Sequence, residues 1–226
     1  MHTTRHLADF AQDSARYILE RGRAAIAERG VFRLGLAGGN TPRAVYAAMA
    51  AQGGADFPWA KVQITFGDER CVPPDDKDSN YLMAKESLLS AAPIPEGNVF
   101  RMRGEIDPAA AAAEYEAQLA AVASRFGEAR YAHDLLLLGL GPDGHTASLF
   151  PGSVALDENE RNIIPATGPK PPPQRLTMTF PLINAAREVA FLVNEAAKKQ
   201  VIEEVQAGDP RHPAARITSA TWLLGF

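Results

Sequence analysis

Short apolar segments alternate with segments of helical periodicity along most of this sequence. Asp134–Leu138 ends in four consecutive leucines, and such a run is typical of a strand buried on both faces of a parallel sheet. Val31–Leu36, Val62–Phe66 and Val189–Val193 have the same short apolar character. Strands that alternate with helices predict an α/β fold, in which helices cover both faces of a mostly parallel sheet.

Five segments have the spacing of apolar residues that predicts helices: His6–Glu28, Ala44–Ala51, Tyr81–Leu89, Pro108–Phe126 and Ala196–Gln206. Val99–Phe100 and Leu176–Phe180 predict two further strands. The proline-rich segment Thr167–Gln174 predicts an extended surface crossover within the domain. We expect one domain over residues 1–226, because the chain after this segment is too short to build a core of its own.

Charge and hydropathy argue against several kinds of partner. The net charge is −4 and no run of Lys or Arg occurs, so we expect no nucleic-acid partner. No segment approaches the roughly 18 apolar residues of a membrane span, and the N-terminal residues do not have the pattern of a signal peptide. We therefore expect a cytoplasmic protein without a membrane partner. The single cysteine, Cys71, excludes an internal disulfide and has no obvious base beside it, which favours a bystander role.

Three loops rich in glycine and polar residues follow predicted strands, at residues 37–42, 67–80 and 139–153. Ligands of open α/β sheets bind outside the carboxyl ends of the strands. We therefore expect the three loops to converge on one crevice that binds a small molecule.

Gly139–Gly144 matches the G-x-G-x-x-G pattern of dinucleotide-binding loops. Such a site also needs a long helix after the loop and an acidic residue at the end of the next strand. Pro151-Gly152 stops any helix early, and Ile163–Pro165 offers no acid at its end. We interpret the match as accidental and predict no nucleotide cofactor.

The same loop contains Asp143-Gly144-His145. A carboxylate beside an imidazole, with no bulky side chain between them, suits the orientation of a general base. The alternative interpretation is a turn histidine hydrogen-bonded to the backbone, and the local sequence does not decide between the two.

Other strand-end residues could bind anions. Ala37–Pro42 offers backbone N–H groups and the Thr41 hydroxyl at a helix N-terminus, where the helix dipole favours a phosphate, although a generic glycine turn would look the same. Arg70 is suited to hold a carboxylate, a phosphate or a developing oxyanion. Arg175 and Lys198, each taken alone, are more typical of solvated charges. No cluster has metal-ligand spacing and no G-x-S-x-G elbow occurs, so neither a metal nor a serine nucleophile is predicted.

Taken together, these motifs resemble the 6-phosphogluconolactonase family. The likeness lies in Ala37–Pro42, Gly67–Arg70 with Val72-Pro73 and Ser79-Asn80, Gly139–Gly152 and Arg175–Thr177, in that order over nearly the whole chain. The resemblance implies the fold shared with glucosamine-6-phosphate deaminases, a Rossmann-like three-layer α/β sandwich with a mostly parallel sheet. It also implies hydrolysis of 6-phospho-D-glucono-1,5-lactone to 6-phospho-D-gluconate in the oxidative pentose phosphate pathway, with neither metal nor nucleotide.

The resemblance implies a role for each candidate residue. His145 would be the general base that activates water, Asp143 would orient its imidazole, and Arg70 would bind substrate and stabilise charge on the carbonyl oxygen. The substrate phosphate would be held by Gly38, Gly39, Asn40, Thr41, Arg175 and Lys198. Asn40 departs from the family pattern, in which serine is usual at this position, but an amide can still donate a hydrogen bond.

Two rival functions remain open. A sugar-phosphate deaminase or isomerase would have the same fold, but in the deaminases the loop continues to a glutamate five residues after the histidine, where this chain has Phe150. A non-catalytic sugar-phosphate sensor would carry an output module, and no segment resembles a DNA-binding helix pair with basic flanks.

Overall fold

The computed structural model describes all residues from 1 to 226. Its nine strands are β1 (His2–His6), β2 (Phe32–Leu36), β3 (Val62–Phe66), β4 (Asp68–Arg70), β5 (Leu135–Leu138), β6 (Ile163–Thr167), β7 (Gln174–Met178), β8 (Val189–Val193) and β9 (Ala220–Leu224). Its six α-helices are α1 (Phe10–Arg29), α2 (Thr41–Gly53), α3 (Asn80–Ala84), α4 (Pro108–Arg125), α5 (Phe180–Asn184) and α6 (Lys199–Gln206). None of these helices combines the length and the hydropathy that crossing a membrane requires.

The central sheet contains six strands in the order β1-β9-β8-β5-β2-β3, and every neighbouring pair is parallel. A smaller sheet has the order β4-β7-β6 with antiparallel pairs. The predicted α/β fold with a mostly parallel sheet is therefore confirmed.

The central sheet has a hydrophobic core on each face. Leu136 and Leu138 of β5 pack into one core together with Tyr115 of α4. Leu135 and Leu137 pack into the other core, to which α1 and α2 contribute. Successive side chains of a strand point to opposite faces, so the run of leucines fills both cores at once. This double burial is what the continuous apolar run predicts.

Local capping chemistry sets the ends of the long helices. Asp9 caps α1 by accepting a hydrogen bond from the Gln12 N–H, and Gly30 ends the helix in the left-handed region at φ 74°. Asp107 caps α4 in the same way, and Pro108 takes the first helical position. Because these signals lie in the sequence itself, α4 begins at the predicted residue and ends one residue before the predicted end.

Strands β1, β4, β6 and β9 were not predicted. Strands β1, β4 and β9 are defined by pairing with segments distant in the sequence, whereas β6 pairs with the nearby β7. The helix predicted to begin at His6 begins at Phe10 instead, since His2–His6 pairs with β9 as an edge strand of the central sheet. The strand predicted at Val99–Phe100 is wrong. Val99 makes only an isolated bridge to Ile64.

Thr167–Gln174 does not form the predicted crossover. Its end residues Thr167 and Gln174 pair with each other across the antiparallel β6–β7 hairpin, so the prolines lie in the hairpin connection. The strand predicted at Leu176–Phe180 is β7, and it ends at Met178 because Phe180 begins α5.

Two predicted helices are divided. The segment predicted at Tyr81–Leu89 contains α3 and then a π-helical turn at Lys85–Leu89. The segment predicted at Ala196–Gln206 begins with a 3-10 turn at Ala196–Lys198, and α6 follows it directly. The helical content is therefore as predicted, but its hydrogen-bonding pattern is not uniform.

The chain changes its direction of travel across the central sheet between β2 and β5. From β2 it moves outward to β3 on one side, and from β5 it moves through β8 to β9 on the other side. The loops that leave the carboxyl ends of β2 and β5 therefore diverge, and a crevice opens between them. The three polar loops of the sequence lie at this end of the sheet.

Candidate active site

A cleft of about 340 Å³ lies at the carboxyl ends of the central strands. The loops that follow β2, β3 and β5 all contribute to it, so their predicted convergence is confirmed. The segment after β8 forms a fourth wall. Seven of the nine predicted site residues line the cleft: Gly38, Gly39, Asn40, Thr41, Arg70, His145 and Lys198.

The glycines that resemble a dinucleotide fingerprint make room for His145. The Gly144 N–H donates to the Gly141 carbonyl oxygen over 3.0 Å, which closes a turn, and Gly144 occupies the left-handed region at φ 75°. A Cβ on Gly141 would lie 2.0 Å from His145 Nδ1. After this turn no helix forms until a short 3-10 turn at Val154–Asp157, so the loop lacks the helix that a dinucleotide site requires.

His145 and Asp143 form a close pair. The Nδ1 atom of His145 lies 2.5 Å from Oδ1 of Asp143, and the His145 backbone N–H donates to the same oxygen over 3.2 Å. Burial raises the pKa of Asp143, but the side-chain and backbone hydrogen bonds from His145 outweigh burial, so the pKa lies below its ordinary value. An ionised carboxylate at Nδ1 places the proton of the neutral ring on that nitrogen and leaves Nε2 with a free lone pair.

Phe150 packs against the imidazole of His145. The two ring centroids are 4.5 Å apart, and the ring planes are inclined by 40°. The side chain five residues after the histidine therefore contacts it, but as an apolar surface that can neither accept nor relay a proton.

Arg70 presents its guanidinium to the cleft from β4. Its Nη1 donates to the Asp78 carbonyl oxygen over 2.5 Å, while Nε is buried without a protein partner. The arginine is thus anchored at one nitrogen and has donors left for a ligand oxygen.

Glu69, which the sequence analysis did not single out, organises the loop around Arg70. Its buried carboxylate accepts hydrogen bonds from the backbone N–H groups of Arg70, Asn80 and Tyr81 and from the Ser79 hydroxyl, over 2.7–3.1 Å. Burial raises the pKa of Glu69, and the three backbone N–H groups oppose that effect. Its position after a buried strand, one residue before Arg70, was the available signal.

Asp68 and Asn80 together link the three loops of the cleft. Oδ1 of Asp68 accepts from the Asn80 side-chain amide over 3.0 Å, and its Oδ2 accepts from the Ser148 hydroxyl over 2.7 Å. Asn80 in turn fills the space beside Gly38, where a Cβ would lie 2.2 Å from the amide oxygen. The backbone of the glycine loop can therefore approach only because residue 38 has no side chain.

The glycine loop leads into the N-terminus of α2. Asn40 occupies the capping position, but its side chain makes no capping hydrogen bond, and Pro42 lies in the first turn. The first N–H groups of a helix have no intrahelical acceptor, and the helix dipole makes this end attractive to anions. Residues 38–41 therefore line the cleft at the N-terminal end of a helix, and the Asn40 side chain is exposed there.

Lys198 also lines the cleft, from the 3-10 turn before α6. Its Nζ atom lies 2.9 Å from Oε1 of Glu195, which also lines the cleft and was not predicted. The ammonium group has two further donor hydrogens, so the ion pair leaves it able to bind a phosphate oxygen.

Arg175 does not line this cleft. It lies buried in β7, beside a neighbouring cavity of about 610 Å³, where its Nη2 donates to the Lys170 carbonyl oxygen and Nε has no partner. Burial and the nearby Arg70 lower the pKa of Arg175 from its ordinary value. Arg70 and Arg175 pair across β4 and β7, so the two cations lie on adjacent strands although they border different cavities.

Two other groups of reactive side chains lie outside the cleft. The carboxylates of Glu204 and Asp209 lie near His212, but none of these residues lines the cleft, and they are engaged with one another and with Arg211, so we assign no metal site to them. Burial raises the pKa of the Cys71 thiol, which makes the reactive thiolate scarcer at neutral pH.

Comparison with known proteins gives a consistent result. The family described as glucosamine-6-phosphate isomerases/6-phosphogluconolactonase matches residues 5–224. A 6-phosphogluconolactonase of Synechocystis is 44% identical over 207 residues, which cover 88% of this chain and 84% of that protein.

Solved structures agree with the sequence comparison. A 6-phosphogluconolactonase of Thermotoga maritima superimposes with a TM-score of 0.87 at 29% identity, over the full length of both chains. A 6-phosphogluconolactonase of Trypanosoma brucei superimposes with a TM-score of 0.81 at 30% identity, over all of this chain and 96% of the other.

Proposed function

The chain belongs to the glucosamine-6-phosphate isomerase/6-phosphogluconolactonase family, and we propose that it hydrolyses 6-phospho-D-glucono-1,5-lactone to 6-phospho-D-gluconate, a step of the oxidative pentose phosphate pathway. One observation carries the mechanism. The contact of 2.5 Å between His145 Nδ1 and Asp143 Oδ1 lies at a cleft that is also lined by the glycine loop before α2. This arrangement supplies a base for water and a handle for a phosphorylated substrate.

His145 is the general base in this mechanism. With its proton on Nδ1 and directed at Asp143, the ring accepts a second proton at Nε2 from a water molecule. The water oxygen then attacks the lactone carbonyl carbon. The ionised Asp143 stabilises the imidazolium that forms, as the acidic partner does in other carboxylate–histidine pairs.

Arg70 stabilises the negative charge that develops. Attack turns the carbonyl oxygen into an oxyanion on a tetrahedral carbon, and a guanidinium donor already in place gains interaction energy as that charge appears. When the carbonyl re-forms, the bond from this carbon to the ring oxygen breaks. His145 returns its proton to the ring oxygen, which becomes a hydroxyl group, and the product acid then ionises.

The phosphate is the handle that orients the ring. It is held by backbone N–H groups of residues 38–41 and by the ammonium of Lys198, which line the same cleft. Arg175 makes no salt bridge and pairs with Arg70 across β4 and β7. Its charge therefore raises the positive potential near Arg70, although its side chain does not line the cleft. Binding energy from this remote group holds the carbonyl in line with the attacking water.

Phe150 favours hydrolysis over the rival deaminase chemistry. Opening a sugar ring needs a second acid or base near His145, and the phenyl ring in contact with the imidazole cannot provide one. A lactone is an activated acyl group, so one base and one oxyanion partner suffice.

The direct test is acid release from freshly prepared 6-phosphogluconolactone, followed in a pH-stat with and without the protein. The spontaneous rate is subtracted, and the His145→Asn variant serves as the matched control. Acceleration by the wild-type protein and its near loss in the variant are expected. A wild-type rate equal to the spontaneous rate would refute the proposal.

A further inference from the structure

His212 lies directly behind the turn that carries the proposed base. The residue is only 8% exposed, and it packs against Gly144, on which a Cβ would lie 2.3 Å from His212 Nδ1. That nitrogen lies 3.1 Å from the Asp143 carbonyl oxygen, and the Ala214 N–H donates to the Gly144 carbonyl oxygen over 3.0 Å. Residues 212–214 therefore hold two consecutive carbonyl groups of the turn.

The second ring nitrogen of His212 faces a carboxylate. Its Nε2 atom lies 2.6 Å from Oε2 of Glu204 in α6. The hydrogen bond with His212 is the first cause that holds the pKa of Glu204 below its ordinary value, so this carboxyl group is ionised at neutral pH. A carbonyl oxygen and a carboxylate can only accept hydrogen bonds. Both ring nitrogens must therefore donate, and the ring that makes both contacts is an imidazolium.

The other charged groups around His212 agree with this state. Burial lowers the pKa of His212, but its hydrogen bonds to Glu204 and to the Asp143 carbonyl, with the charges of Glu204 and Asp209, raise it above its ordinary value. The cationic Arg211 is paired with Asp209 at 2.6 Å and lies 3.6 Å from Glu204. The Asp143 carboxylate is directed at His145 and not at His212.

We infer that His212, as an imidazolium bridging Glu204 and the Asp143 carbonyl oxygen, is a positioning residue for the Asp143–His145 pair. The inference rests on the proposed lactonase function. His212 touches neither the cleft nor the reacting atoms and acts through the backbone of the turn. Loss of its contact to that carbonyl lets the turn shift, and displacements of about 1 Å can cost on the order of a hundredfold in rate.

The bridge also couples the two ends of the substrate site. Helix α6 begins at Lys199, immediately after Lys198, and carries Glu204. The Glu204–His212 pair therefore ties the element that follows the phosphate-binding lysine to the turn that carries the base. Breaking the pair removes this tie without removing the phosphate-binding lysine or the base, so its effect should appear in KM, to which phosphate binding contributes, and not in kcat.

Two substitutions separate the contacts of His212. In His212→Asn the side-chain amide nitrogen takes the place of Nδ1, so the donor to the Asp143 carbonyl is kept and the contact to Glu204 is lost. In His212→Gln the amide nitrogen reaches the place of Nε2, so the contact to Glu204 is kept and the one to the turn is lost. We expect His212→Gln to lower kcat about tenfold or more with KM within about twofold, and His212→Asn to keep kcat within about threefold.

A spectroscopic measurement tests the charge state independently of activity. Two-dimensional NMR correlation of ring nitrogens and ring protons distinguishes an imidazolium from either neutral tautomer. Wild-type His212 should have both nitrogens protonated at pH 7, and in Glu204→Gln the ring should lose its second proton at a lower pH than in the wild-type protein.

Equal kcat losses in the two His212 variants with equal melting temperatures would overturn the inference, as would a neutral His212 ring at pH 7. If either variant fails to fold, a neutral His212 ring in the wild-type protein at pH 7 still overturns the inference. Failure of the proposed function would instead appear as a wild-type protein that does not accelerate lactone hydrolysis, whatever the state of His212.

Discussion

The Nδ1 atom of His145 lies 2.5 Å from Oδ1 of Asp143, which is two residues earlier in the same turn. The contact is local in sequence, but its geometry depends on a glycine that leaves space beside the imidazole and on residues 212–214 behind the turn.

His145→Asn should lower kcat by at least about a hundredfold and change KM much less, because asparagine fills similar space but cannot accept the proton. Steady-state hydrolysis corrected for the spontaneous reaction measures both constants. Circular dichroism and the melting temperature serve as controls for folding. A variant with kcat within twofold of the wild-type value would remove His145 from the role of base.

Gly141→Ala should lower kcat by about a hundredfold, since the new Cβ would lie 2.0 Å from Nδ1 and must displace the ring. Gly97→Ala is the matched control, because a Cβ there meets no atom within 4 Å. The same kinetic assay compares the two. Equal and small effects of both substitutions would show that the imidazole is not held against Gly141.

Lys198→Ala should raise KM by roughly tenfold to a hundredfold, the range expected for the loss of one charge-assisted hydrogen bond. Arg175→Ala should also raise KM but to a smaller extent, because Arg175 borders the neighbouring cavity. Inorganic phosphate should compete with the substrate. Unchanged KM in both Lys198→Ala and Arg175→Ala would place the phosphate elsewhere.

Arg70→Ala is the contrasting variant. Its kcat should fall as well as its KM rise, since the carbonyl oxygen that Arg70 is proposed to bind gains charge during the reaction.

No ammonia should be released from glucosamine 6-phosphate under conditions in which the lactone is turned over rapidly. The reason is the phenyl ring of Phe150, which contacts His145 where a deaminase needs an acid. An ammonia assay at high enzyme concentration, beside the lactonase assay on the same preparation, measures this. Ammonia release at a comparable turnover would contradict the assignment.

His133 should make the fold sensitive to acid. It is fully buried, with Nε2 2.8 Å from the Thr65 hydroxyl, and burial followed by the charge of Arg33 lowers its pKa to about 3. Below the unfolded-state pKa of about 6.5 the unfolded chain binds a proton that the folded protein does not. The free energy of unfolding should therefore fall as pH falls from about 6.5 towards 3, by roughly 1.4 kcal/mol per pH unit from this residue.

Chemical denaturation at several pH values measures this dependence, and His133→Asn is the control because it cannot titrate. The variant should lose that part of the slope, whatever its absolute stability. The same slope in both proteins would mean that another group causes the acid sensitivity.

The site residues differ in how far the sequence could reveal them. Asp143 and His145 lie in one turn with the glycines that shape it, so a short segment already contains the pair. Glu69 and Asp68 are also in a strand-end loop, but their roles depend on Asn80, at the far end of that loop, and on Ser148 in another loop. His212 carries no local signal, since its partner carbonyl lies 69 positions earlier in the chain.

The sequence by itself determined the elements whose cause is local. Four leucines in a row must be buried on both faces if they form a strand, and Asp107 and Pro108 begin a helix wherever the chain goes afterwards. Tertiary structure alone decided that His2–His6 pairs with β9 and that Arg175 borders a different cavity from Arg70. The physical reason is that strand pairing and the direction of a strand-end side chain are set by partners far away in the chain, and no short stretch of sequence contains both partners.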